Sequence, residues 1–556
     1  MSRKPLAGLL FSVVIIGIFG ALSLCLGKDI FWDLLNYHFY NPYSILHGRM
    51  EFDIAPAQWQ TFLNPTIDFV PNFLTTHCDA RVTSFILGAF HGLNFLAVFS
   101  ITGTLLKAVR TPVSSRARLP LCFAAGAFGC YGAGFIQELG GQAQDNTVSL
   151  FVLGGLWLAL KAVTQAADAQ TAKWIWSGFL IGVATGLKLT AAPYAIALAV
   201  GIFSALPNRQ TCVHRLPIWG ISSACGFLLV AGWWMSLLWI RFKNPVFPFF
   251  NHIFKSPWAS FESYADMRWH PKNVIDALAY PIRMAFTGER TSELFLRDAR
   301  FLLLMIALIG VLIVSCTARW QLFLKRRNTH GPTNPVCVSD SHLSLVTVFC
   351  ATTLIVWVCA SGYYRYLAAL EILTPAYLLY LSCYWAEYRR WLLPIVVVLL
   401  SLNAAWLRPP TPSRIRWEYS TKQGGLFETR KQCYFDLPTP ALPADSNMIV
   451  MLGGAPMAYL IPFFPKEVRF VRPEGNLFPR SGAGVQQTLL LESIWRSIEE
   501  HTGNLFVLIP ADSNAYQRIP PIFSGNSTWI MKQQAPTVLR PNTGFLYWLV
   551  PMKRRD

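Results

Sequence analysis

The sequence predicts a mostly α-helical protein that crosses a membrane many times and ends in a small mixed α/β region. Three observations predict it. Of 556 residues, 53% are hydrophobic and only 14% are charged, where a soluble domain averages about 25% charged. Up to about residue 407 the apolar residues come in runs near the roughly 20 residues a bilayer requires. The formal charge of +18 falls largely in short basic clusters between those runs, as the positive-inside bias predicts. That distribution points to a membrane and away from nucleic acid.

About eleven spans follow from the bilayer length, at 6–26, 82–106, 119–136, 147–164, 174–187, 190–206, 217–240, 301–318, 343–361, 364–385 and 391–407. The first follows Ser2-Arg3-Lys4 and runs into GKDIFWD. That stretch offers no small-x-small cleavage site, so it reads as an uncleaved span and not a signal peptide. Trp174–Leu206 is too long for one span, and Gly186-Leu-Lys188 with Pro193 marks a break. With the N-terminus inside, each even-numbered span ends at a basic cluster: Lys107/Arg110/Arg116/Arg118, Lys161/Lys173, Arg209/Arg215, Arg319/Lys325/Arg326/Arg327 and Arg389/Arg390. The long loops 28–81 and 241–300 then lie outside, as does everything after Trp406.

This divides the chain into a transmembrane domain at 1–407, a Pro- and Arg-rich linker at 408–447 and an extracytoplasmic domain at 448–556. In the last, Met448–Leu452, Val468–Val471 and Leu505–Ile509 read as strands, and Ala455–Phe464 and Leu489–His501 as helices. Strands alternating with helices predict a small α/β fold. Gly453-Gly454 lacks nucleotide-binding spacing and reads as a turn. Asn526-Ser-Thr matches a glycosylation acceptor. Most of the 12 cysteines lie in spans, where they act as small hydrophobes. Cys78 and Cys433 fall outside, which leaves a disulfide between them open.

The first long loop is the most informative segment, because long connections are usually functional or disordered and this one is too aromatic to be disordered. It opens Asp29-Ile-Phe-Trp-Asp33-Leu-Leu-Asn36-Tyr37-His38. As a helix, it would align Asp29, Asp33, Asn36 and Tyr37 on one face. Such a helix would lie along the outer interface, with Trp32 and Tyr37 at headgroup depth. The plainer reading is an interfacial helix whose acids stay wet. The next outside loop adds Glu138 and Asp145, separated by Gly140-Gly141. Asp145 fits the cap of the following span, and Glu138 does not. Cations complement these acids. Lys188 sits in the turn Gly186-Leu-Lys-Leu-Thr190, and Arg365 in Gly362-Tyr-Tyr-Arg-Tyr366. The second long loop adds Arg241, Lys243, Lys255, Arg268, Lys272 and Arg283. Acids and cations converging at one membrane surface suit a phosphorylated lipid, since Arg forks a phosphate and Lys binds it as a point charge. His91 and Asn94 lie within the second span and read as a hydrogen bond between helices.

In this order, the motifs resemble those of the GT-C superfamily of polyprenyl-phosphate-sugar-dependent glycosyltransferases. The layout is similar to that of the bacterial protein mannosyltransferase and aminoarabinose transferase families. The shared features are an Asp soon after the first span, further acids in the second outside loop, and the tract Asn244-Pro-Val-Phe-Pro248-Phe-Phe-Asn251. The Gly-Leu-Lys-Leu-Thr turn, the Arg-Tyr before a late span and the C-terminal domain complete the set. The resemblance implies an inverting sugar transfer at the outer face of a bacterial inner membrane, to a glycan, lipid or protein acceptor. Asp33 would be the base, with Asp29 its rival, and Glu138 would orient the acceptor or tune Asp33. Lys188 and Arg365 would stabilise the leaving phosphate, and Asn36, Tyr37, His38 and Asp145 would bind substrate. No metal ligand set and no cofactor are read. Neither of the first two outside loops holds an Asp-x-Asp, and a divalent cation stays open. The alternatives are a lipid-linked glycan flippase, a glycan polymerase or ligase, and a scaffold.

Overall fold

In the computed structural model, residues 3–163, 170–206, 208–261, 264, 266–328, 340–410, 414–417, 434–443, 447–478, 480–481, 484–485, 488–512, 516–517, 519–523 and 528–555 are described. Cys433 and Asn526 lie outside them, as does much of the linker. Each apolar run forms a helix. In chain order they are α1 (Arg3–Leu26), α2 (Ala80–Lys107), α3 (Ser115–Cys130), α4 (Asp145–Ala162), α5 (Thr171–Leu187), α6 (Ala192–Ala205), α7 (Arg209–Phe242), α8 (Arg300–Asn328), α9 (Ser341–Ala360), α10 (Ala368–Tyr384) and α11 (Leu392–Trp406). Among the described residues, six helices are long and apolar enough to cross a membrane. The protein is a multi-pass membrane protein.

Every residue of α10 is buried. It forms the axis of the bundle, packed against α2, α3, α4, α8 and α11. Beside it, α5 and α7 approach backbone to backbone, because a side chain at Gly182 would collide with the Ser223 carbonyl. Close contact through small residues is how helices associate without a hydrophobic drive between them.

The C-terminal region is built on a mixed sheet. Its strands are β3 (Asn447–Met451), β4 (Arg469–Val471), β5 (Asn504–Pro510), β6 (Trp529–Met531), β7 (Thr537–Leu539) and β8 (Tyr547–Arg554), after a two-residue pair β1 (Lys28–Asp29) and β2 (Arg414–Ile415). β3 pairs in parallel with both β4 and β5. β8 closes the sheet antiparallel to β5, β6 and β7. The three strands read from sequence are present. The helix at its predicted place (Leu489–Glu499) turns Leu490, Leu491, Ile494 and Ile498 into one face.

Both faces of this sheet are completed by the first long loop. Ala55 and Phe62, with Trp234, Leu238 and Phe242 of α7, share a core with Val450, Val507 and Ile494. Ile30, Leu34, Leu35, Tyr37, Phe39 and Tyr40 share the other with Ile449, Met451, Tyr459 and Tyr434. Ile54 extends the sheet edge beside Val471, and Arg49 is paired with Asp53 while donating to the Val468 carbonyl at 2.6 Å.

This corrects the expected interfacial helix. Asp29 lies in β1, paired with Arg414. The helical segment starts at Trp32 and widens into a π-turn over Leu34–His38, with all five residues buried. The loop's apolar side chains meet the underside of the sheet instead of the headgroups. Full burial favours each Leu by about 1.5–3 kcal/mol over exposure.

Candidate functional site

Four charged side chains from distant parts of the chain meet where the first loop covers the ends of α4, α5 and α10. Asp33 stands at the start of the π-turn. Arg365 comes from the 3-10 turn Tyr364–Leu367 that leads into α10. Lys188 ends α5 in extended conformation, and Asp145 is the first residue of α4. They alternate in sign. Asp33 Oδ2 accepts from Arg365 Nη2 at 2.8 Å, Arg365 Nε lies 3.1 Å from Asp145 Oδ2, and Lys188 Nζ donates to Asp145 Oδ1 at 2.6 Å.

Aromatic rings frame the cations. The Arg365 guanidinium lies 4.9 Å from the Phe31 ring centre, 5.5 Å from Tyr363 and 5.7 Å from Tyr366, within the range of cation–π attraction. A small cavity behind the ion chain is lined by Asp145, Ser149, Thr190, Tyr194, Arg365 and Tyr366. Burial alone would raise the Asp33 carboxyl, but the charge and hydrogen bond of Arg365, with the charge of Lys188, hold it below the usual value. Burial, with the negative charge of Asp33, pushes the Tyr37 phenol well above its usual value.

Of the other sequence-derived residues, Tyr37 and His38 stay in the π-turn that Asp33 opens, and the rest separate from this chain. Asp29 accepts from the backbone N–H of Phe31 and of Gln142, both at 2.9 Å. It ties the two outside loops together and does not share a helix face with Asp33. Asn36 is fully buried and donates to the Ala57 carbonyl at 3.1 Å. Tyr37 and His38 have ring centres 4.1 Å apart, and His38 Nδ1 lies 2.7 Å from Asp68 Oδ1. Arg241 donates to the Met50 carbonyl, Arg268 pairs with Asp266 and Glu293, and Arg283 with Asp276.

The expected roles of the second-loop acids are exchanged. The N-cap of α4 is Gln144, and the Asp145 side chain makes no cap. Instead Glu138 Oε2 accepts from the N–H groups of both Asp145 and Asn146 at 3.1 Å. The reason is the turn at Gly140, whose φ of 69° a side chain would strain. It folds Glu138 back over two of the unpaired N–H groups that begin a helix. Burial and the neighbouring Asp145 push the Glu138 carboxyl well above its usual value.

Three contributors were not read from the sequence. Asp68 holds His38. Asn64 donates to the carbonyls of Gly186 and Val230, at 2.9 and 3.0 Å, and so fixes the Lys188 turn. Asp298, Arg300 and Glu371 form a second ionic cluster. The tract Asn64-Pro-Thr-Ile-Asp68 was a usable signal for the first two, as a further polar patch in the same loop. As expected, Asn94 bonds between helices, to the Asn146 carbonyl at 2.9 Å. Among the described residues, no group of three His, Cys, Asp or Glu side chains is arranged to hold a metal ion.

The chain belongs to the family described as a domain of unknown function (DUF8201), whose model matches residues 78–371. That stretch contains Glu138, Asp145, Lys188 and Arg365 and stops short of Asp33. No curated protein matches the sequence. The structure is similar to ArnT from Cupriavidus metallidurans in the apo state, with 14% identity, 98% of each chain covered and a TM-score of 0.49. It is also similar to the same protein bound to undecaprenyl phosphate, with 12% identity, 99% of this chain and 98% of that one covered, and a TM-score of 0.40. Neither likeness is close enough to carry a functional conclusion.

Proposed function

We propose that this member of the family is a GT-C-type membrane glycosyltransferase. It moves a sugar from a polyprenyl-phosphate-linked donor to a glycan, lipid or protein acceptor, with inversion, at the outer face of a bacterial inner membrane. The N-terminus is then cytoplasmic, and the long loops and the C-terminal sheet are periplasmic. The observation that best supports this reading is the alternating chain Asp33–Arg365–Asp145–Lys188, held under a roof of loop and sheet at the ends of apolar helices.

In this mechanism the donor phosphate draws on Arg365 and Lys188, the fork and the point charge suited to it. Asp145 holds the two cations at a fixed spacing. When the guanidinium turns to the phosphate, Asp33 loses the partner that keeps its carboxyl low, and its basicity rises. Asp33 takes the proton of the acceptor hydroxyl as the acceptor oxygen attacks the anomeric carbon. The bond from that carbon to the phosphate oxygen breaks, and polyprenyl phosphate leaves with its charge stabilised by the two cations. A phosphate leaving group needs no general acid, and the scheme asks for no cofactor.

The test uses purified protein in lipid, a panel of polyprenyl-phosphate sugars and detection of released polyprenyl phosphate. Wild type should use at least one donor. Asp33→Asn should lower turnover by about 10²–10⁴-fold, the usual range for a positioned base, with an unchanged melting temperature. Near-normal turnover in D33N would remove Asp33 as the base. Bound lipid with no transfer from any donor would favour a transporter or polymerase instead.

A further inference from the structure

The first loop holds an acid–base pair that the mechanism above leaves unused. His38 and Asp68 are both buried. Asp68 Oδ1 lies 2.7 Å from His38 Nδ1, while His38 Nε2 is buried without a hydrogen-bond partner. A carboxylate on Nδ1–H sets the tautomer that leaves Nε2 as the acceptor. An unpaired buried polar atom is costly and calls for an explanation.

Local backbone geometry suggests what it is for. In an α-helix, Asp33 would stack on Tyr37, four residues on. Here the Phe39 N–H donates to the Leu34 carbonyl at 3.3 Å, five residues back, so the turn that opens at Asp33 is wound as a π-turn and ends at His38. Such turns occur frequently at functional sites. The groups whose charges bear on this pair come from every side. They are Asp33 and Tyr37 in its own segment and Lys188 from the end of α5, while Arg365 and Tyr366 from the turn before α10 act on the neighbouring Tyr37.

We propose that His38, held by Asp68, is the relay that clears the proton from Asp33 after each transfer. The proposal rests on the glycosyltransferase reading. The acceptor O–H proton first moves to the Asp33 carboxylate. The Asp33 O–H bond then breaks as an N–H bond forms at His38 Nε2. Asp33, again a carboxylate, re-pairs with Arg365 as polyprenyl phosphate departs. The imidazolium is balanced by Asp68 and passes its proton to water when products leave. Because it acts through Asp33, His38 is a positioning and relay residue.

Turnover and KM are measured against pH in lipid for wild type, His38→Gln and Asp68→Asn, with the imidazole resonance of His38 followed by NMR in parallel. H38Q should lower kcat by about 100-fold, the low end for positioned proton transfer, leave the donor KM unchanged and remove the acidic limb of the pH profile. D68N should shift that limb to lower pH, because the imidazolium loses its anionic partner. Wild-type kcat in H38Q overturns the relay, as does an equal loss at every pH with the limb intact. Absence of transfer by wild type from any donor sinks the glycosyltransferase reading instead, and the relay is then judged by NMR. D33N should move the His38 imidazole resonance, and an unmoved resonance overturns the coupling.

Discussion

Two buried ionic clusters lie on either side of one short turn, and they are built to opposite specifications. Tyr364 reaches one and Arg365 the other. In the first, Arg300 Nε bonds Asp298 at 2.9 Å, and its other nitrogens reach the carbonyls of Tyr131, Gly129 and Glu371. Asp298 also accepts from Tyr364 and Asn403, and Glu371 from the N–H of Gly134. The Arg300 and Asp298 side chains are 2% and 0% exposed. In the second, Arg365 and Asp33 are 10% and 14% exposed. Arg365 Nε and Asp145 Oδ2 face each other at 3.1 Å without the alignment of a hydrogen bond. A saturated buried network specifies one geometry, while an incompletely paired one retains capacity for another partner. The first cluster therefore pins the ends of α3, α8, α10 and α11, and holds steady the turn that presents Arg365 to the second.

The largest expected separation comes from breaking the saturated cluster. Arg300→Met leaves Asp298 and Glu371 buried without their cation, which should cost about 3–5 kcal/mol of stability. Thermal unfolding in lipid or detergent should show a marked fall, with activity lost only in proportion to folded protein. An unchanged melting temperature with abolished turnover would place Arg300 in the chemistry. In the open cluster, Arg365→Lys keeps the charge and loses the fork. Turnover should fall by about 10²–10³-fold, the range for losing one transition-state donor, with little change in melting. Equal effects of the two substitutions on melting would erase the distinction between the clusters.

A second kind of effect is read through pH at Lys28, a buried cation outside both clusters. Its Nζ donates to the Asn542 carbonyl at 3.1 Å and lies 5.5 Å from the rings of Tyr434 and Phe435. Burial, only partly opposed by Asp436, lowers its pKa from 10.5 to about 7. Between those values the folded protein binds fewer protons than the unfolded chain, so stability rises with pH across that window and is flat below it. Melting temperature should climb between pH 7 and 10, and Lys28→Met should remove this contribution. An identical slope in the variant would show that Lys28 is not the titrating group.

The helices were legible because apolar runs and basic clusters are both local signals, and the strand Met448–Leu452 was legible for the same reason. Lys188 and Arg365 stood out because cations at the very ends of spans are conspicuous. Their partners did not. Asp33 and Arg365 are 332 positions apart, and nothing in either segment names the other. The π-turn escaped because helical periodicity assumes 3.6 residues per turn, and the expected alignment of Asp29 with Asp33 failed because Asp29 lies in β1. Arg300 and Glu371 escaped because each appears alone at a span end or inside a span. The last strand, Tyr547–Arg554, lies inside its sheet with partners on both sides, yet carries Pro551 and a basic end, neither of which suits an interior strand.

The smallest predicted effect concerns Glu138, where sequence and structure disagree about role. As a cap, it need only present an acceptor to the first N–H groups of α4. Since its carboxyl is held well above the usual value, Glu138→Gln reproduces both shape and neutrality. E138Q should therefore stay close to wild type in melting and turnover. Glu138→Ala removes the acceptor and should cost about 0.5–2 kcal/mol, as loss of a cap does, with a modest loss of turnover as Asp145 shifts beneath Lys188 and Arg365. Turnover abolished in E138Q at an unchanged melting temperature would return Glu138 to the chemistry and enlarge the open cluster by one acid.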